Sequence, residues 1–258
     1  MIKKFLEILE YRELLQTLAT KELIARYHAS ALGYLWVLLN PFLMMLLFTL
    51  VFSVFLRIQV ENYALFFICA MLPWNFFANS LNQGSSSLVG NTHFILKFYC
   101  PRELFPLKVV LAHAFVLLNG FVALVPVILY FKGSLSWAIL LVPVVVFFHV
   151  LFAAGLTLML STLHVFFRDV THLLEFFTVV WYFLTPVFYP LSMVPETLQP
   201  LFRLNPMYVI ISLYRDILYL GVVPGLESFL AAAAIGLGTL IVGWKTFLAF
   251  EHAVVKEL

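Results

Sequence analysis

The chain predicts an all-α integral membrane protein with six transmembrane helices per protomer, and three observations predict it. Apolar residues make up 64% of its 258 residues and charged residues only 11%, against roughly 45–50% and about 25% in soluble domains; the mean hydropathy is +1.04. Six stretches (31–56, 62–96, 109–131, 133–167, 176–195 and 228–244) lack Asp, Glu, Lys and Arg. Each can hold the ~20 apolar residues (range about 17–25) that a helix needs to cross a ~30 Å hydrocarbon core. The two longest runs have 35 residues each, short of the roughly 40 that a two-span hairpin requires, so each holds one span and a polar flank. Finally, with the N-terminus inside, 11 of the 15 Lys and Arg residues fall on inner segments. Arg57, Lys132, Arg203 and Arg215 fall on outer ones. This asymmetry predicts a multi-pass membrane protein with both termini cytoplasmic.

Residues 1–30 form an N-terminal segment with nine charges, too polar to cross, and no cleavable signal peptide is expected. Ile2, Phe5, Leu6 and Leu9 recur at helical spacing opposite Glu7 and Glu10, and Glu22 precedes Arg26 by four residues. That pattern predicts an amphipathic helix at the inner membrane surface, with a solvated helical tail as the alternative. The transmembrane domain spans 31–250, and 251–258 is expected to be a cytoplasmic tail.

Within that domain the first span (about 31–56) aligns Phe42, Met45, Phe48, Phe52 and Phe55, and the second (about 63–82) aligns Phe67, Ala70, Trp74, Phe77 and Leu81. The third covers about 109–131 and the fourth about 137–163. The fifth, about 173–189, repeats Trp181, Thr185 and Phe188, and the sixth, about 228–249, carries Ala232, Gly236 and Gly243, small residues that let helices approach closely in lipid. Between the second and third spans, Asn91–Pro106 is an aromatic and basic island containing Lys97, Arg102 and Glu103. It reads as a docking site on the cytoplasmic side. Between the fifth and sixth, Pro190 to Glu227 is apolar yet punctuated by Pro190, Pro195, Pro200, Pro206, Pro224 and Gly221. Asn205-Pro206 marks a helix start. Two short helices, about 195–203 and 206–220, are expected to dip into the outer leaflet as a gate or as an interfacial bracket.

Little of the usual transport or enzyme chemistry is present. None of the 13 acidic residues falls near the middle of a predicted span, which argues against a proton- or sodium-coupled carrier. His113 and His149 read as packing residues. There is no G-x-x-x-x-G-K-[ST] phosphate loop, so the chain cannot hydrolyse ATP alone. Cys69 and Cys100 do not suggest a disulfide, and no metal site is expected. His164 and Asp169 match the H-x-x-x-x-D spacing of some acyltransferases, in which a His base is oriented by an acid; the alternative is that Arg168 and Asp169 anchor the fourth span and touch a cytoplasmic partner. The 44 aromatic residues serve helix packing, the interfacial belt, or sugar stacking.

Several motifs then converge. Arg26-Tyr27, Ser30, Leu32-Gly33, Trp36 and Pro41, Met71 to Phe77, Asn91 with Tyr99 to Pro106, Phe167 to Val170, Pro186 to Pro190, Val194 to Glu196 and Leu204 to Pro206 resemble, in order, the permeases of type-2 ABC exporters. The chain is most similar to the polysaccharide branch, which exports O-antigen, capsule or teichoic-acid polymers on a lipid carrier. This resemblance implies a homodimer with two copies of a P-loop ATPase that brings ATP and Mg, a lipid-linked polysaccharide as substrate, surrounding membrane lipid, and no nucleic acid. It implies coupling to the ATPase through Asn91, Phe94, Lys97, Phe98, Tyr99, Cys100, Pro101, Arg102, Glu103, Arg168 and Asp169; Cys100 stands where this branch usually has Phe. A substrate path is implied along Tyr34, Phe42, Phe67, Trp74, Phe77, Trp181, Thr185, Phe188 and Tyr189, and an outer gate at Pro195, Pro206, Tyr214, Arg215 and Asp216. The competing readings are an exporter of small lipophilic compounds and a membrane-embedded acyltransferase.

Overall fold

The computed structural model describes residues 2–27 and 32–258; for Ile2, Lys3, Phe5, Leu6, Arg26, Tyr27, Tyr34 and Leu38 it describes the backbone alone. The described residues are helical with no strand. In order they form α1 (Ile2–Glu10), α2 (Arg12–Tyr27), α3 (Trp36–Phe48, continued by a π-helical turn over Thr49–Phe55), α4 (Tyr63–Ser85), α5 (Ser87–Gly90), α6 (Thr92–Lys97) and α7 (Leu104–Lys132). Next come α8 (Val142–Phe166, after a 3₁₀ turn at Trp137–Leu141), α9 (Val170–Phe183), α10 (Gln199–Arg203), α11 (Pro206–Tyr214, continued by a π-helical turn over Arg215–Leu220) and α12 (Leu226–Glu257).

Among the described residues, four helices are long and apolar enough to cross a membrane: α4, α7, α8 with its leading 3₁₀ turn, and α12. The predicted first and fifth spans are shorter. Leu39–Phe55 and Val170–Phe183 are apolar helices of fewer than 18 residues, and α9 has 14, about 21 Å at 1.5 Å per residue. It ends six residues before the predicted boundary because the chain turns at Thr185-Pro186, where proline supplies no N–H to a helix. The sixth span and the tail, expected to be separate, are one continuous helix through Glu257.

α4 is the hub. It is the most enclosed of the long helices and packs against α3, α7, α8, α9 and α11. Leu65, Phe67, Ala70, Phe77 and Leu81 are essentially inaccessible there. The most extensive helix pair is α8 with α12. The reason lies in backbone approach: a Cβ at Gly243 would sit 1.9 Å from the Gly155 carbonyl oxygen, one at Gly155 would sit 2.4 Å from the Thr239 backbone, and one at Gly236 would sit 2.6 Å from the Phe148 carbonyl oxygen. Small residues permit this van der Waals contact where no hydrophobic drive operates between helices in lipid. Ala232, Gly236 and Gly243 are all buried in it.

A second apolar cluster gathers both chain ends. Ile8 of α1, Leu88, Ile95, Leu104, Phe105, Val165, Phe247 and Val254 pack together, with Leu258 against them. This terminal end of the bundle therefore also holds α6 and the end of α8. In α1 the predicted apolar face falls mostly on side chains outside those described, while Ile8 is buried and Leu9 is 47% exposed.

Gly243→Ala is expected to abolish monodisperse protein on size-exclusion chromatography in detergent. Gly238→Ala, whose Cβ would meet nothing within 4 Å, should elute as the parent does.

Candidate functional site

At the terminal end, α6 buries Ile95, and Phe94 packs edge-on against Phe105 at 5.8 Å. After Lys97 the backbone turns extended at Phe98. Pro101 then lies before a turn at Arg102-Glu103, and α7 begins at Leu104 with Pro106 in its first turn, where a missing N–H costs nothing. The outcome is a tip of exposed apolar groups: Leu96 is 57% exposed, Phe98 59% and Tyr99 85%, with Lys97 exposed beside them.

The tip is fixed on both flanks. On one side the Asn91 amide donates to the Ser87 carbonyl (2.7 Å) and accepts from Lys108 Nζ (3.2 Å), which pairs with Glu22 of α2 at 3.1 Å. On the other, Arg102 Nη1 donates to Glu251 Oε1 at 3.1 Å, and Lys4 Nζ donates to that same oxygen at 2.9 Å. Lys4 also lies 3.7 Å from Glu7 and 4.0 Å from Glu103. Glu103 is inaccessible to water, and neither carboxylate oxygen makes a hydrogen bond to another residue. Burial pushes its carboxyl above the ordinary 4.5; its own backbone N–H and the Lys4 charge oppose this, and Glu251 and Glu7 add to it. For Lys4, burial acts to lower the ammonium pKa, but the bond to Glu251 and the charges of Glu103, Glu251 and Glu7 prevail and hold it raised.

The expected coupling residues thus divide. Lys97, Phe98 and Tyr99 face outward, whereas Asn91, Arg102 and Glu103 are engaged within the chain, Pro101 is buried, and Phe94 and Cys100 are partly buried. Arg168 and Asp169 are exposed in the turn after α8, at the same end. His164 is buried with its Nδ1 unpartnered, while Asp169 faces solvent, so the pair needed for acyl-transfer base chemistry is not assembled.

The aromatic residues expected along a path form one contiguous array. Phe67 stacks on Phe48 at 4.4 Å, Phe48 leads to Phe52 at 5.6 Å, and Phe52 lies 5.1 Å from Phe188. Phe188 approaches Tyr182 at 5.5 Å, Tyr182 meets Trp74 at 5.4 Å, Trp74 meets Phe77 at 5.8 Å, and Phe77 meets Trp181 at 5.1 Å. Much of this array is interior to the chain, since Phe67, Phe77 and Thr185 are 0% exposed. Phe42 is partly buried against the same core, and the Tyr34 side chain lies outside those described. An accessible edge remains. Met44, Phe48, Met71, Trp74, Asn75 and Tyr182 line part of an open groove of about 320 Å³ between α3, α4 and α9.

The residues expected at an outer gate lie in a region of braces. Asn205 caps α11: its Oδ1 accepts from Met207 N (3.0 Å) and from Trp181 Nε1 (2.8 Å), and its Nδ2 donates to Leu184 O (3.1 Å) and Thr185 Oγ1 (2.9 Å). Arg215 lies 3.8 Å over the Phe66 ring and donates to Val187 O at 2.7 Å. Tyr63 donates to Phe188 O at 2.7 Å and Tyr189 to Phe183 O at 2.6 Å. Tyr214 is fully buried beside Phe121 and His149; Pro206 begins α11, Asp216 is half-buried, and Pro195 is exposed. Sequence reasoning missed Lys4, Glu251, Tyr182 and the Asn205 side chain as parts of these sites. Of these, only Asn205 carried a local signal, as the residue before a helix-starting proline.

The signature of the ABC-2 type transporter family matches residues 13–219. The chain belongs to that family. This ABC-2 transporter chain is 34% identical over 257 residues to the O-antigen export system permease protein RfbA of Myxococcus xanthus, covering 97% of this chain and 96% of the relative. It is 32% identical over 216 residues to an O-antigen export system permease protein RfbA of Klebsiella pneumoniae, covering 81% and 82%. The family and the long apolar helices make it a multi-pass membrane permease that works with a partner ATPase.

Because the Glu103 carboxyl titrates above its ordinary value in the folded chain, the proton it binds adds stability that is full below 4.5 and is lost as pH rises through the raised value. Glu103→Gln should therefore leave the thermal midpoint of the detergent-solubilised ABC-2 chain unchanged near pH 4. At pH 8 it should raise that midpoint by a few degrees (about 2–4 °C per kcal/mol for a chain of this size). A midpoint lowered at pH 8 would contradict this assignment.

Proposed function

We propose that this chain is the membrane half of an ATP-driven exporter that carries a lipid-linked polysaccharide of O-antigen type from the cytoplasmic to the outer side of the inner membrane. Two copies form the membrane unit, both termini lie in the cytoplasm, and two P-loop ATPase subunits bind ATP and Mg. Each copy crosses the membrane six times, with the shorter α3 and α9 completing the four long spans. The observation that carries the reading is the exposed tip from Leu96 to Tyr99: large apolar side chains held at the terminal end of the bundle, the end that charge asymmetry assigns to the cytoplasm. Such a patch marks a protein contact, and aromatic anchors are the usual energetic centre of one. The substrate class follows from relatives that match over 80% or more of their length and are named for O-antigen export.

The groove beside α9 supports the polymer reading over small lipophilic cargo. Tyr182 offers a ring, the largely buried Trp74 contributes an edge, and Asn75 and Asn82 offer amides in the same surface, the mixture that a sugar requires and an apolar drug does not. In a dimer whose α3 and α9 face the partner, this surface lines the central path. Residues 190–221 act at its outer end, where Asn205 and Arg215 hold the gate helix to the end of α9.

Phe98→Ala with Tyr99→Ala should cut ATPase co-purification by at least tenfold, the effect of about 1.4 kcal/mol, with the permease still folded. Unchanged recovery of the ATPase would remove the tip from the contact. Tyr182→Ala should lower surface polysaccharide in a deletion strain at normal permease levels. Phe77→Ala should instead lower the permease level itself, since emptying a fully buried aromatic site costs about 3–5 kcal/mol.

A further inference from the structure

The tip is joined to the rest of the chain by charges whose arrangement is economical in one respect: two cations from distant elements meet on a single oxygen. Glu251 Oε1 accepts from Arg102 in the turn behind the tip and from Lys4 in α1. Glu251 lies near the end of α12, whose glycines bring it into backbone contact with α8. Thus one carboxylate stands between the tip, the N-terminal helix and the last long helix.

As glue, this cluster is a poor choice. Part-exposed ion pairs contribute about 0–1 kcal/mol each, and burying a carboxylate such as Glu103 without a hydrogen bond is costly. The apolar cluster beside it already holds these elements together through Ile8, Phe105, Phe247 and Val254. What the charges add is direction: a short, oriented bond from the segment that meets the partner to one particular helix.

We propose that Glu251 is a positioning residue for transport. Its bonds to Arg102 and Lys4 make the tip, α1 and the end of α12 move as one body, so that displacement of the tip is delivered to α12 and, through the Gly155–Gly243 contact, to α8. The inference rests on the ATP-driven reading above. The second flank, Asn91–Lys108–Glu22, holds the tip against α2 and α7 and does not reach α12. Loss of Glu251 therefore removes the oriented bond from the tip to α12 while leaving the apolar cluster and the docking surface in place.

The test uses the purified permease–ATPase complex for ATP hydrolysis and a complemented deletion strain for polysaccharide extracted from intact cells. With Glu251→Gln, the ATPase should co-purify and hydrolysis should persist, while surface polysaccharide falls about tenfold, so that more ATP is consumed per chain exported. Arg102→Gln should behave alike, and Lys4→Arg, which keeps the donor and its charge, should export near the parent level. Because Arg102 and Glu251 act through one bond, the double variant should export no worse than the poorer single one. A parent complex that exports normally alongside a Glu251→Gln complex that does the same overturns the inference alone, as do multiplying losses in the double variant. If neither Glu251→Gln nor Arg102→Gln assembles, the network is scaffold only and the inference fails. A parent chain that retains no ATPase overturns the functional reading itself, and this inference with it.

Discussion

Every break in a helix inside an apolar slab leaves backbone groups that lipid cannot satisfy, and this constraint organises the far end of the bundle. The chain leaves α9 at Phe183 and does not resume a long helix until Leu226. In that interval the Leu184, Val187 and Phe188 carbonyls would be stranded. Asn205, Arg215 and Tyr63 each reach in to bond one of them. The side chains that look like gate furniture in the sequence are thus what makes an irregular segment tolerable there. The position of α11 follows, since the Asn205 that completes the break also caps that helix.

The helical class, the long spans α4, α7, α8 and α12, and the start of α11 at Pro206 were legible in the chain, because charge-free length and Asn-Pro are local signals. The small residues of α12 were legible as a packing face too, although only the structure pairs Gly243 with Gly155. Helix ends were less legible. α9 stops early and α12 runs on, because both boundaries depend on tertiary partners: the bonds of Asn205 in one case, and the seating of Val254 against α1 in the other. The network at Glu251 joins positions 4, 102 and 251, and no periodicity links residues so far apart. Arg102 and Glu103 looked like outward docking charges since charge in a short loop usually faces water; here two chain ends fold over them.

The aromatic residues illustrate a different limit. Phe67 and Phe77 share helical spacing with Trp74, and a stripe by itself cannot tell core from surface. Burial distinguishes the two. Phe67, Phe77 and the nearly inaccessible Trp74 build the interior wall, and the half-buried Tyr182 carries that wall to an open edge furnished with amides. A rigid aromatic layer behind the groove keeps that surface from collapsing inward.

The flanking bonds at Asn91 and Arg102 have one more consequence. They hold the segment from inside, using atoms that the tip itself does not supply, so the four residues from Leu96 to Tyr99 carry almost no structural duty. Surface and anchorage are separated in the chain. A lineage can change these four side chains while the segment behind them keeps its shape.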